Sequence, residues 1–247
     1  MKYKYIVFDF DGVICDSTNE CMVTAWNSWQ KFNLKEDFRL KGDEFNKDDI
    51  KKFRDLRPYV RGASEYYVLM NAIESKIKIK DQKDFDDLKN RWRNSFRNFK
   101  TIFFEQREKL RNNNLDYWID LHFIYQDVIK IIKKLNNEKR LLIATLKDKK
   151  SVTLILKECG ISIGSKDILD QAKISTKLEA LDYFVLKKKV LKEDLCFIDD
   201  NITHLIEPHN NNYKVFLSGW GSTLIEHKNK AKTHKIKVIE NINEDIF

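Results

Sequence analysis

The chain of 247 residues carries only two prolines and seven glycines, which argues against long disordered linkers. Its four cysteines, Cys15, Cys21, Cys159 and Cys196, include no C-x-x-C pair, so neither a zinc site nor a dithiol redox motif is expected. Cys196 lies in an apolar run and reads as a buried thiol. Cys15 follows two carboxylates closely and is read as a reduced, structural thiol. No apolar run approaches the roughly 20 residues that a membrane span needs. The N-terminal MKYKYIVFDF is interrupted by Asp9 and Asp11 and lacks a small-residue cleavage site. It is therefore expected to be the first strand of a cytoplasmic protein with no membrane partner. There is no internal repeat, no low-complexity tract, and no RNP-like or helix-turn-helix signature.

What the chain does have is 42% hydrophobic and 34% charged residues. That suits one large domain, or a core with a substantial insertion. The net charge is +8, but the lysines are spread over many segments and interleaved with acids. This reads as a solvated surface that helps attract anionic substrates, not as a nucleic-acid partner. The first apolar run, Tyr5–Phe8, is short and rich in β-branched and aromatic residues, as in a buried parallel strand. Runs of the same character recur at 141–145, 195–199, 213–217 and 236–239, with a weaker one at 167–170. Helical patterns at 125–135, 150–158 and 176–188 lie between them. Alternation of this kind predicts βαβ units, hence an α/β fold with a Rossmann-like parallel sheet.

The segment from 18 to 118 shows helical stretches at 20–32, 64–74 and 85–99 and no convincing strand. Within 85–99, Phe85, Leu88, Trp92, Phe96 and Phe99 recur at spacings of three and four and predict one apolar helix face. The reading is an all-helical insertion, with core residues 1–17 and 119–247 on either side and chain reversals around 16–20 and 115–124.

The chemistry gathers at strand ends. Asp9 and Asp11 stand where the first strand runs out, with Gly12 after them. Two carboxylates there repel unless a cation, a shared proton or a positive ligand intervenes. The run LLIAT ends in Thr145, and LCFID ends in Asp199, followed by Asp200 and Asn201. Lys177 opens the helix before that strand. In a parallel sheet these groups converge beyond the carboxyl ends of the strands, where ligands bind in open α/β folds. The oxygen-rich set suits Mg²⁺. Thr145 can donate to a phosphate oxygen, and Lys177 can charge-pair with the same group. One Asp can attack phosphorus and the other can exchange protons with the leaving oxygen and with water. Taken singly, Thr145 is an ordinary strand end, Lys177 a solvated helix residue and Asp199-Asp200 a helix N-cap pair. Their order and joint placement carry the reading.

The motifs resemble those of the haloacid dehalogenase superfamily in its phosphatase branch, close to the phosphoglycolate phosphatases. Asp9-Phe10-Asp11-Gly12 matches the first motif, Thr145 the second, Lys177 the third, in preference to Lys173, and Asp199-Asp200 the fourth. The resemblance implies that Asp9 is the nucleophile and Asp11 the general acid/base. It implies that Asp9, the main-chain carbonyl of Asp11 and Asp200 bind Mg²⁺, with Asp199 supporting, and that the insertion is a C1-type cap. Two departures stand out. His204 occupies the place where the fourth motif often has a further acid and reads as a helix-face residue. Leu146 and Lys147 follow Thr145 where the family often has Asn. Thr145, Leu146 and Gly12 are the expected phosphate contacts. In LRPYVRGASEYY, 56–67, Arg57 and Arg61 can grip an anionic group and Gly62 lets a loop approach closely; Arg61 is the chosen substrate contact. The function implied is Mg²⁺-dependent hydrolysis of a small phosphorylated metabolite by a monomer or homodimer. A phosphomutase, a weakly active binding or regulatory protein, and nucleic-acid end processing are the alternatives.

Overall fold

A computed structural model describes residues 2–94, 96 and 98–243. Eight strands are found among the described residues: β1 (Tyr5–Phe8), β2 (Cys15–Asp16), β3 (Phe123–Ile124), β4 (Leu141–Ala144), β5 (Ile168–Leu169), β6 (Leu195–Asp199), β7 (Lys214–Ser218) and β8 (Lys237–Ile239). Six of them form one sheet in the order β5-β4-β1-β6-β7-β8, and β2 pairs with β3 separately. Every pairing within the six-stranded sheet is parallel. The residues of β4 and β6 are buried throughout, which is why these strands read as unbroken apolar runs and not as alternating ones. The register sets Ile6 beside Leu141 and Cys196, so β1 lies between β4 and β6 at the centre.

Helices Gln126–Asn137, Lys149–Glu158, Lys177–Lys188 and Ile202–Asn210 connect successive strands. One packed face joins Val7, Leu142, Phe197 and Val215 of the sheet to Leu181, Phe184 and Leu205 of the helices. None of the helices among the described residues is long and apolar enough to cross a membrane.

The chain divides into two compact units. One comprises the residues up to Asp16 and from Ile124 onward; the other is Ser17–Phe123. The second crossing thus falls a few residues beyond the expected 118/119. Helix Leu115–Asp120, capped by the Asn114 side chain accepting from the Tyr117 N–H at 3.0 Å, buries Trp118 completely and carries the helical unit onward. That unit has an aromatic core. Tyr66 stacks on Phe103 at 4.8 Å between centroids, and Tyr67 meets Trp29, Phe32 and Phe99. It also holds a buried ion pair, with Arg107 Nε and Nη2 at 2.8 and 2.9 Å from the two oxygens of Glu20.

The stripe at 85–99 is not one helix. Helix Gln82–Trp92 ends, and Phe99–Asn113 begins after Asn98. The apolar spacing continues across the break, but Asn94 and Asn98 stand there, and asparagine, whose side chain can compete for backbone hydrogen bonds, favours helix ends over interiors. Phe85, Leu88, Phe96 and Phe99 are buried all the same.

Candidate active site

Because β4, β1 and β6 are parallel neighbours, their carboxyl ends share one edge of the sheet. Asp9 comes directly after β1, its N–H bonded to the Ile198 carbonyl at 2.9 Å. Thr145 comes directly after β4, its N–H bonded to the Leu169 carbonyl at 2.9 Å. Asp199 is the last residue of β6. Lys177 is the first residue of its helix, which is started by a capping box between Thr176 and Glu179. Asp9, Thr145, Lys177, Asp199 and Asp200 are all buried.

Lys177 binds the constellation together. Its Nζ lies 2.7 Å from Asp9 Oδ1 and 3.2 Å from Asp199 Oδ2, and it donates to the Ala144 carbonyl at 2.8 Å. Burial would discharge this lysine, but the charges of Asp9 and Asp199 push its pKa up. The two acids part company. Burial, helped by the charge of Asp199, outweighs Lys177 and His204 and raises Asp9 to about 6. Burial also works against ionised Asp199. There, however, Lys177, His204 and the Asn201 N–H at 2.8 Å prevail and hold the group well below the usual carboxylate range.

His204 is not an idle helix-face residue. Its Nδ1 lies 3.2 and 3.3 Å from the two oxygens of Asp199. Asp9, Asp199 and His204 form the one group of three potential metal-ligating side chains found among the described residues, with ligand atoms within 4.8 Å of one another. Asp11 and Asp200 fall outside that group. Asp11 pairs through Oδ1 with Lys147 Nζ at 3.1 Å. Asp200 accepts the Ser222 N–H on Oδ2 at 3.1 Å. Gly12 has φ +80°, and a side chain there would run into the Asp200 carboxylate, so glycine is required twice over. Four carboxylates along one sheet edge, two of them in a buried cluster, make a donor set that fits a divalent cation.

Thr145 Oγ1 accepts the Lys147 N–H at 3.1 Å, and Leu146 between them is half-buried. Arg61 belongs to the helical unit. There its guanidinium pairs with Glu65 at 3.2 Å and with Asp86. Lys147, in sequence only a departure from the family pattern, is a fully buried cation on Asp11. The loop after β7, Gly219–Thr223, also borders the site, and its only mark in the sequence is the Gly-Trp-Gly stretch just after an apolar run.

A family model described as haloacid dehalogenase-like hydrolase matches residues 3–206. No curated relative matches the sequence. Among solved structures, the chain is similar to a predicted phosphatase from Clostridium acetobutylicum (14% identity, 98% of this chain and 95% of that chain, TM-score 0.61). It is also similar to a predicted phosphoglycolate phosphatase from Haemophilus somnus (16%, 90% and 87%, 0.60). A third is a haloacid dehalogenase-like family hydrolase from Streptococcus pneumoniae (12%, 96% and 93%, 0.62). At these identities the likeness speaks for the fold.

Proposed function

The chain belongs to the haloacid dehalogenase-like hydrolase family, and we propose that within it this protein is a Mg²⁺-dependent phosphomonoester hydrolase of the cytoplasm, acting on a small phosphorylated metabolite as a monomer or homodimer. The observation that carries this reading is Lys177, whose ammonium lies between Asp9 at 2.7 Å and Asp199 at 3.2 Å at the carboxyl edge of the sheet. That contact orients one Asp9 oxygen and offers positive charge where a phosphoryl group would sit. Thr145, at the end of the adjoining strand, supplies a hydroxyl to a phosphate oxygen.

In the proposed reaction an Asp9 oxygen attacks phosphorus and the bond to the leaving oxygen breaks. The Asp11 carboxyl gives its proton to that oxygen. Asp11, now ionised, takes a proton from water, which attacks phosphorus and breaks the Asp9–phosphorus bond. Asp9, the Asp11 carbonyl and Asp200 would hold the cation, with Asp199 in support. When bound, Mg²⁺ supplies charge that offsets the phosphate and favours ionised Asp9. Lys147 holds Asp11 in place beside the first motif. The Gly12 and Leu146 backbones line the phosphate pocket of this reading. In the helical unit, which would serve as the cap, Arg61 is the contact proposed for the substrate's anionic end, its guanidinium fixed by Glu65 and Asp86.

The test is phosphate release from a panel of phosphorylated metabolites, with Mg²⁺ or with EDTA, for the wild type and Asp9→Asn. Release that needs the cation and disappears in Asp9→Asn is the expected result. No release by a folded wild type that still binds Mg²⁺ would overturn it and turn attention to a mutase or a binding protein.

A further inference from the structure

The loop Gly219–Thr223 has no part in the reaction written above, yet its polar contacts converge on two pieces of the site. The Ser222 N–H donates to Asp200 Oδ2 at 3.1 Å. The Thr223 hydroxyl is within reach of the Asp200 carbonyl at 3.0 Å and of the Ser218 carbonyl at 2.8 Å, so it links the backbone beyond β6 to the end of β7. Trp220 Nε1 donates to the Val13 carbonyl at 3.0 Å. The Gly219 N–H anchors the start of the loop on the Ile239 carbonyl at 2.8 Å. Between these points Gly221 lies against the Gly12 carbonyl and the Asp200 Cβ so closely that a methyl group at Gly221 would collide with both. Gly12, Asp200 and Gly221 therefore interlock, with no side-chain volume to spare at either glycine.

We propose that this loop is a clasp that fixes the Asp200 carboxylate for cation binding, with Thr223 as its positioning residue. The inference rests on the reading of Asp200 as a cation ligand. An aspartate just past a strand end has several rotamers open to it, and a divalent ion binds tightly only when its ligands are already aimed. Here one carboxylate oxygen is held by an amide from the loop, and the residue's own carbonyl is held by a hydroxyl from the same loop. The first-motif turn is gripped from the other side through Val13. The clasp thus aligns two segments distant in sequence on which the cation depends.

The experiment titrates Mn²⁺ into the full chain, following free Mn²⁺ by electron paramagnetic resonance with Mg²⁺ as competitor, and compares the wild type with Thr223→Val, Thr223→Ser and Gly221→Ala. Melting in EDTA reports the fold of each variant separately. Thr223→Val keeps the side chain's size and loses the hydroxyl, so it should weaken Mn²⁺ binding by about tenfold, as loss of an outer-shell partner does, while Thr223→Ser stays within about twofold. Gly221→Ala should weaken it at least as much; if that variant does not fold, the two Thr223 variants decide. Unchanged Mn²⁺ affinity in Thr223→Val overturns the clasp, even if its melting in EDTA drops. A wild type that binds no Mn²⁺ overturns the cation reading itself, and with it the proposed function, which keeps the two failures apart.

Discussion

Lys177 and the two acids it bridges are all buried, and the energetic consequences of that are asymmetric. Taking charges out of water costs several kcal/mol per ion, and only close pairing offsets it. Removing the lysine leaves Asp9 and Asp199 facing each other without their shared cation. Lys177→Met should therefore destabilise the protein by about 3 kcal/mol at pH 8, read from urea denaturation. The loss should shrink at pH 5, because Asp9, already raised to about 6 with the lysine present, can take up a proton. An equal loss at both pH values would contradict this account. A second residue sets a pH dependence of its own. Burial, and next to it the charge of Lys230, lower His227 from 6.5 to about 4. The folded chain therefore prefers the neutral ring. The stabilisation is complete above about 6.5 and is lost as the pH falls towards 4, amounting to roughly 3 kcal/mol. His227→Gln should flatten the fall in urea midpoint between pH 7 and pH 4.5 relative to wild type. If both proteins lose stability in parallel, His227 is not the group responsible. Among single residues, the sequence exposed Asp9, Asp11, Thr145, Lys177 and Asp199 because each stands at the end or start of a patterned element. Lys147 and Thr223 were not legible, since their roles depend on contacts with residues far away in the chain.

At the scale of elements, the start of helix Lys177–Lys188 ties local sequence to the site. Thr176 Oγ1 accepts the Glu179 N–H at 3.2 Å, and the Glu179 carboxylate accepts the N–H groups of Ser175 and Thr176 at 2.6 and 3.2 Å. Lys177 is the first residue inside that cap. Thr176→Ala should cost about 1 kcal/mol of stability. It should also lower turnover more than it raises KM for the best substrate in the panel, because the lysine's helix start is loosened while the remaining contacts persist. Turnover unchanged alongside the stability loss would show that the cap serves the helix alone. The strands were legible from short apolar runs, because a parallel strand buried on both faces leaves no other pattern. Helix Ile202–Asn210 was less so: it contains Pro208 and ends in an asparagine-rich stretch, both of which disfavour a helix on propensity grounds. Packing of Ile202 and Leu205 against the sheet core overrides them. The break between Trp92 and Phe99 shows the converse, where an apolar period persists but polar residues end the helix.

For the molecule as a whole, the order of strands decides what the sequence can reveal. The apolar runs predict a parallel sheet, but not that β1 lies between β4 and β6. The site depends on that adjacency, and the motif order pointed to it. The limits of the helical unit were harder to place, because they are set by pairing between segments remote in sequence. The same pairing has a further consequence. The Tyr125 N–H donates to the Ile14 carbonyl at 3.1 Å, so the strand that leaves the sheet unit and the one that returns are pinned side by side. The entropy of closing a loop grows only with the logarithm of its length, each doubling adding about 0.6 kcal/mol. With its two ends already held together, the sheet is nearly indifferent to how much chain lies between them. The position after β2 is thus a graft point, where whole helical segments can be lengthened, shortened or exchanged at little cost to the sheet's own stability.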